Sequence, residues 1–242
     1  MYENLFFSFI IFVLVTIQSV VGIGVLVIGT PLLLLLQINI IEILSILLPI
    51  SIITSFFNFF FIRLIKKKTL DIDKSLMKKF FFICAPSIFI GLILLNNFET
   101  LINFKYLVSF VIIISILLTY FLKERTITNK FKTIFLILVG LVHGLTNSGG
   151  TLLSLLLSSS NERNHSRYNI TFFYLLLASF QYIIFLIIFD NHTTFNSNFH
   201  IFISIFSGLI MGNILFKFFN DKFFKILIKF LAILTSLFLM IN

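Results

Sequence analysis

The chain has 242 residues, of which 59% are hydrophobic and only 11% are charged. Soluble globular domains contain about 45–50% apolar and about 25% charged residues, so this composition excludes an ordinary water-soluble domain. The formal net charge of +9 would suggest nucleic-acid binding in a soluble protein, but here the basic residues lie between hydrophobic segments. Membrane orientation explains that placement, and no nucleic-acid partner is expected.

Eight hydrophobic blocks follow one another along the chain, and several approach or exceed the roughly 20 residues that cross a bilayer core. They are Leu5 to Leu36, Ile40 to Ile62, Phe80 to Leu95, Phe104 to Leu122, Thr133 to Leu157, Tyr168 to Phe189, Phe199 to Phe216 and Phe223 to Ile241. The charge-free runs within them are apolar on every face, whereas strands of a transmembrane barrel would alternate apolar and polar residues. The sequence therefore predicts an all-α polytopic membrane protein with the lipid bilayer as a partner.

Lysine and arginine are concentrated in the segments between certain blocks. The basic segments are 63–79, 123–132, 163–167 and 217–229, and of the eighteen basic residues only Lys105 lies elsewhere. Because cytoplasmic loops carry an excess of Lys and Arg, these segments are predicted to be cytoplasmic. We therefore expect a multi-pass protein of the cell inner membrane with its N- and C-termini outside the cytoplasm.

The same orientation makes the first and fifth blocks hairpins. The fifth block begins beside Lys132 and ends beside Arg163, both on the cytoplasmic side, so it must enter the membrane and return. The first block ends near Glu42 on the opposite side, and it is either a hairpin from outside or one full span followed by a short half-helix. Residues 1–125 and 126–242 then form two inverted repeats of one membrane domain, each a re-entrant or broken helical hairpin plus three transmembrane helices.

Glycine-rich runs mark the turn of each hairpin, between Gly22 and Pro31 in the first and between Gly140 and Gly150 in the second. Backbone that leaves a helix at membrane depth is tolerated only where it is buried or lines a cavity. A second half-helix would start at about Val25 and at about Thr151, with free N–H groups and a positive dipole end facing that cavity. Such ends bind anions, and inverted hairpins would bring both to the bilayer midplane.

These two runs resemble a repeated motif of the sulfite exporter (TauE/SafE) family of anion permeases, a Gly-x-Gly-Gly-Gly run followed five residues later by Pro. The first copy is GIGVLVIGTP, which begins at Gly22, and HGLTNSGG, which begins at His143, looks like the second. The matching residues are Gly22, Gly24, Pro31, Gly144, Gly149 and Gly150, and the departures are Val25, Leu26, Ser148 and Leu155. The resemblance covers essentially the whole chain and implies export or exchange of small sulfur-containing or organic anions across the cytoplasmic membrane.

Polar side chains beside the turns complete the predicted substrate site. His143 could donate to an anion or take up a proton, or it could bond to a local carbonyl. The neutral donors at 146–148 could contact an anion and also satisfy the broken backbone. Gln18 and Gln181 are equally suited to ligand contact and to joining helices. The predicted substrate-binding set is Gln18, Gly22, Gly24, Pro31, His143, Gly144, Thr146, Asn147, Ser148, Gly149, Gly150 and Gln181.

Other polar and small residues favour structural roles at this stage. Arg163 and Arg167 could attract anions to the inner mouth, but positive-inside anchoring explains them equally well. For Tyr174, packing is the favoured interpretation. The Gly208–Gly212 pattern predicts a close helix seam or a homodimer contact, whereas the Gly140–Gly144 pattern overlaps the hairpin turn and is not expected to form a seam.

The motifs of other classes are missing from the sequence. It contains no G-x-x-x-x-G-K-[ST] run for ATP and no H-E-x-x-H run for a metal-dependent enzyme. Cys84 is the only cysteine, which rules out an intramolecular disulfide and a cysteine metal cluster. A secondary anion permease with no catalytic residue, metal or cofactor is therefore predicted. A non-transporting membrane assembly or accessory protein with a degenerate permease fold is the alternative.

Overall fold

A computed structural model describes residues 2–65, 71–98, 129–158, 163–189 and 199–224, together with single positions among 103–117 and 226–237. Throughout these residues the regular structure is helical and no strand occurs. The all-α prediction is therefore confirmed for the described part of the chain. The fourth and eighth predicted blocks, Phe104 to Leu122 and Phe223 to Ile241, lie mostly outside it.

The helices are labelled here in chain order. They are α1 (Tyr2–Val21), α2 (Val25–Leu35), α3 (Ile40–Ile65), α4 (Lys74–Lys79), α5 (Ala85–Phe98), α6 (Asn129–Thr146), α7 (Gly149–Ser158), α8 (Arg163–Ile188) and α9 (Phe199–Phe216). A π-helical turn, Phe80–Cys84, joins α4 to α5. Within the described residues, four helical stretches are long and apolar enough to cross a membrane: Ile40–Leu64, Lys74–Phe98, Arg163–Ile188 and Phe199–Phe216.

The first and fifth hydrophobic blocks are each broken into a long helix and a short one. α1 and α2 have 20 and 11 residues, and α6 and α7 have 18 and 10, so the lengths fit a longer helix followed by a half-helix. The long helices end where Gly22, at φ 94°, and Asn147, at φ 60°, take the left-handed conformation that these two residue types tolerate best. α2 begins at Val25 as predicted, whereas α7 begins at Gly149, ahead of the predicted Thr151.

The short helices lie inside a shell of long ones. α1 packs along α9, α6 packs along α5, and α3 packs along α8, while α2 and α7 contact each other and lie against α3 and α8 respectively. Large apolar side chains such as Phe82, Ile187 and Ile210 are exposed on the outer helices. Extensive exposed apolar surface is typical of a membrane-facing exterior. The interior therefore contains the two helix breaks, and the outside suits lipid.

Both small-residue patterns form seams within the molecule. The Gly208–Gly212 pattern of α9 faces α1, where a Cβ added at position 212 would lie 2.5 Å from Ser19 Cβ. The Gly140–Gly144 pattern of α6 faces α5, where added Cβ atoms would collide with the carbonyl oxygens of Cys84 and Ile88. The prediction that the Gly140–Gly144 pattern forms no seam is therefore wrong. The α6 face that leads to the second turn also packs closely against α5.

A Gly144→Ala substitution should destabilise the α5–α6 seam. An added methyl group meets the rigid backbone of Ile88 and Gly91 rather than a movable side-chain tip. We expect the free energy of unfolding to fall by about 1–3 kcal/mol, because overpacking outweighs the better helix propensity of alanine. Thermal unfolding of the detergent-purified protein measures the change. Unaltered or higher thermal stability would contradict the close approach of α5 and α6.

Candidate functional site

The first turn, residues 22–24, is closed by the side chain of Gln18. Gln18 Oε1 accepts a hydrogen bond from the Val25 N–H at 2.9 Å. Gln18 Nε2 donates to the Ser51 carbonyl at 3.0 Å and to Ser55 Oγ at 2.9 Å. A free N–H group was expected at the start of α2, and the structure instead pairs this group with a protein oxygen. Gln18 therefore caps α2 and ties α1 to α3.

Tyr174 of α8 lies between the starts of the two short helices. Its fully buried hydroxyl group accepts a hydrogen bond from the Leu26 N–H at 3.3 Å. A Cβ added at Gly150 would lie 2.5 Å from Tyr174 Cε2 and 3.1 Å from Val27 Cγ2. One tyrosine ring therefore contacts the N-termini of both α2 and α7. The sequence favoured simple packing for this residue because nothing in the middle of α8 marks it as different from its neighbours.

A hydrogen bond joins the second turn to the first helix pair. Asn147 Nδ2 donates to Thr30 Oγ1 at 2.9 Å, and both side chains are buried. Within the turn, the Ser148 N–H donates to Thr146 Oγ1 at 3.3 Å, and Thr151 Oγ1 donates to the Ser148 carbonyl at 2.6 Å. Thr146 and Ser148 thus satisfy the broken backbone, which is one of the two roles predicted for them.

Several buried polar atoms near the second turn have no hydrogen-bond partner among the described residues. They are both ring nitrogens of His143, Asn147 Oδ1 and Gln181 Oε1. Gln181 Nε2, in contrast, donates to the His143 carbonyl at 3.0 Å. Among the described residues, no acceptor is found for the backbone N–H groups of Gly149 and Gly150 either. Because an unpaired buried polar group costs free energy, a ligand or water at this turn would be stabilising.

The two turns share one backbone plan. The Gly22 N–H donates to the Gln18 carbonyl at 2.7 Å, and the Asn147 N–H donates to the His143 carbonyl at 3.0 Å. An added Cβ would approach Gln18 from Gly24 and His143 from Gly149. The equivalent pairs are Gln18 with His143, Gly22 with Asn147, Gly24 with Gly149, and Val25 with Gly150. The members of every pair are 125 positions apart, one more than the motif comparison implies, since that comparison set Leu155 rather than Leu156 against Pro31. His143 therefore stands where the capping residue stands in the first turn.

Most of the predicted substrate set lies around the two turns. These residues are Gln18, Gly22, Gly24, His143, Thr146, Asn147, Ser148, Gly149, Gly150 and Gln181. Pro31 lies farther along α2, and Gly144 faces the α5 seam, so neither is at a turn. Their role in substrate binding stays a prediction.

The comparison with known proteins confirms the family resemblance. A family model described as Sulfite exporter TauE/SafE matches residues 7–239, nearly the whole chain. The chain belongs to the sulfite exporter TauE/SafE family. Neither a curated protein nor a solved structure matches it. Members of the family are membrane transporters, so the predicted class of membrane transport protein is confirmed.

Proposed function

We propose that the protein is a secondary permease of the cell inner membrane that moves a small sulfur-containing or organic anion between two inverted repeats, residues 1–125 and 126–242. The packing pattern supports this proposal, because the α1–α9 seam has its counterpart in the α5–α6 seam, and α2 lies on α3 as α7 lies on α8. Equivalent residues of the two turns add support. Inverted repeats of this kind allow one central site to face each side of the membrane in turn.

The anion site that we propose lies at the second turn. The observation that supports it is a difference in helix capping between the two turns. In the first turn, Gln18 Oε1 accepts from the N–H of Val25, the first residue of α2. In the second turn, the equivalent residues are His143 and Gly150, and no such bond exists among the described residues. An anionic oxygen would take the place of the missing cap. The positive dipole end of α7 favours that charge.

The chemistry of the neighbouring groups narrows the class of ligand. The Gly149 and Gly150 N–H groups and an imidazole N–H of His143 are donors for anionic oxygens. Asn147 Oδ1 and Gln181 Oε1 are unpaired acceptors, and they would suit a ligand that also carries a hydroxyl group or a proton. A hydrogen-bearing oxyanion, such as hydrogen sulfite or a hydroxylated organic acid, provides both kinds of group. Family membership supports the sulfur oxyanion as the first choice to assay.

A direct test of the permease is uptake of radiolabelled sulfite, thiosulfate, sulfate and short sulfonates into vesicles that contain the purified protein. Saturable uptake of one of these anions is the expected result. A correctly folded protein without saturable uptake of any of them would contradict the proposal. That outcome would favour the alternative of a non-transporting assembly or accessory protein.

A His143→Gln substitution tests the proposed site by copying the first turn. Glutamine at this position should cap the Gly150 N–H as Gln18 caps Val25, so the protein fills its own anion site. We expect sulfite uptake to fall by about tenfold or more while thermal stability is kept or rises, since a bond of about 1.4 kcal/mol gives a tenfold change. Uptake and thermal unfolding are measured on the same preparation.

The matched control is His200→Gln, which makes the same exchange at an exposed position of α9. It should leave uptake and stability unaltered. Equal uptake by the His143 variant and the wild-type protein would show that the anion does not bind at the uncapped turn.

A further inference from the structure

Arg167 is a buried cation outside the two turns. It lies near the start of α8, and its side chain is only 4% exposed. Arg167 Nε donates to the Ser19 carbonyl at 2.9 Å, and Nη2 donates to the same oxygen, to Asn58 Oδ1 at 3.0 Å and to Asn213 Oδ1 at 2.7 Å. The guanidinium carbon lies 4.1 Å from the centroid of the Phe216 ring. Four helices, α1, α3, α8 and α9, therefore surround this one charge.

The described partners of Arg167 are all neutral. In the described residues, no carboxylate lies within salt-bridge distance of it, and the one ion pair there joins Arg163 to Asp221 at 3.5 Å. No acceptor is found for Arg167 Nη1 among those residues either. An arginine stays ionised at all ordinary pH values, and burial of a charge is costly unless an opposite charge compensates it. The described residues thus bury the guanidinium charge of Arg167 without a carboxylate to compensate it, so a bound anion could supply the opposite charge.

A cavity of about 210 Å³ adjoins this charge. Its lining residues are Phe61, Ile62, Arg163, Asn164, Arg167, Asn213, Phe216 and Lys217. Among the described residues, the lining combines three basic side chains with two amides, and none of these lining side chains is acidic. Arg163 and Lys217 are partly or fully exposed, so the cavity reaches the surface next to the basic segments. Since a water molecule occupies about 30 Å³ of liquid, a small oxyanion fits here with some of its hydration.

We infer that this cavity is a second anion site, which binds an oxyanion group on Arg167 Nη1 with Lys217 and Asn164 at its rim. The site is separate from the second turn, and Ser19, which Arg167 holds, is in the last turn of α1 before the Gly22 break. An oxyanion in this cavity would bind at the basic end of the protein. It would lie next to Ser19, which is one helical turn before the first helix break. The inference relies on the proposed function only for the choice of sulfite as the probe.

An Asn213→Asp substitution supplies the missing counter-charge from within the protein. The aspartate keeps the oxygen that accepts from Arg167 Nη2 at 2.7 Å, but it loses the donations of Asn213 Nδ2 to Asn58 Oδ1 at 3.2 Å and to the Leu209 carbonyl at 2.8 Å. Thermal unfolding of the variant is therefore measured before binding, and Arg167→Lys tests the site without this change. A fixed carboxylate in the cavity repels a second anion. Equilibrium binding of radiolabelled sulfite to the purified protein in detergent should then lose one class of sites, with affinity lowered at least about tenfold. The His143→Gln variant should keep that class, which separates it from the site at the turn.

The control is Asn39→Asp, which adds the same charge at an exposed position before α3, where the carboxylate can still accept from the Ile41 N–H. It should keep both classes of sites. A second source of the same chemistry is the phosphate group of an anionic lipid, so native mass spectrometry counts phosphatidylglycerol bound to each variant. Loss of bound sulfite or of bound phosphatidylglycerol in Asn213→Asp, but not in Asn39→Asp, supports the site. Whichever of the two is lost identifies the ligand.

The inference would be overturned if Asn213→Asp binds sulfite and phosphatidylglycerol as the wild-type protein does. It would also be overturned if the wild-type protein binds neither at this cavity. Either result would leave the uptake assay and the His143 variant to decide the proposed permease independently. An Arg167→Lys variant provides a further check, because it keeps the charge but loses the planar fork, and weaker binding with an intact fold is expected.

Discussion

Replacing Gly150 with alanine is expected to reduce anion uptake by about tenfold or more. The added methyl group would lie 2.5 Å from Tyr174 Cε2, so the ring must move, and with it the hydroxyl group that accepts from the Leu26 N–H. One methyl group would therefore disturb the starts of both short helices together. Overpacking of about 1–3 kcal/mol at a binding site corresponds to a change of about 5- to 150-fold in affinity or rate, and tenfold needs about 1.4 kcal/mol. Initial uptake rates in vesicles measure the effect.

The Gly29→Ala variant is the matched control for this experiment. Gly29 is also a buried glycine of a short helix, but an added Cβ there meets the methyl groups of Leu47 and Leu14. Side-chain tips can rotate away, so uptake within about twofold of wild type is expected. Equal uptake by Gly150→Ala and Gly29→Ala would contradict a transport site between α2 and α7.

The helix breaks could be predicted from the sequence because glycine permits backbone conformations that other residues rarely adopt. A glycine cluster inside a long apolar run has few explanations other than a turn or a close approach, and Gly22 takes the left-handed conformation that glycine permits. The second break was placed less accurately, because Asn147 rather than a glycine takes this conformation. α7 therefore starts at Gly149, which the sequence alone could not distinguish from Gly150 or Thr151.

The tertiary partners of single polar residues could not be predicted. Gln18 was equally suited to a ligand and to a neighbouring helix, and the choice depends on Ser51 and Ser55 lying opposite it on α3. Arg167 was counted with the loop cations because it follows Arg163 closely in sequence. The helix of α8 carries it inward, and Ser19, Asn58 and Asn213 come to it from three separate helices. Residues so distant along the chain give no local signal.

The asymmetry between the turns also depends on one side chain. The same backbone plan places a glutamine at position 18 and a histidine at position 143. Glutamine has a flexible stem that lets its oxygen reach Val25, whereas the histidine ring leaves both nitrogens unpaired among the described residues. A repeated fold can thus use one copy of a turn for structure and leave the other available to a ligand.

Gln18→Leu and Gln181→Leu should separate stability from transport. Both side chains are fully buried amides, and both exchanges are identical. Loss of Gln18 leaves the Val25 N–H unpaired, so the free energy of unfolding should fall by about 1–3 kcal/mol. Loss of Gln181 removes one bond to the His143 carbonyl, but that carbonyl still accepts from the Asn147 N–H at 3.0 Å. Gln181→Leu should therefore alter stability by less than about 1 kcal/mol.

Uptake should show the opposite order once it is corrected for the folded fraction. Gln181 Oε1 is one of the unpaired acceptors proposed to contact the ligand, so Gln181→Leu should lower uptake by about tenfold, which corresponds to the loss of one ligand bond of about 1.4 kcal/mol. Gln18 Oε1 is already occupied by Val25, so folded Gln18→Leu should retain most of its uptake. The two variants thus act on different turns. The capped start of α2 stabilises the fold, and the uncapped start of α7 is the proposed binding site of the solute. Reversed effects, with uptake lost only in Gln18→Leu, would place the solute at the first turn.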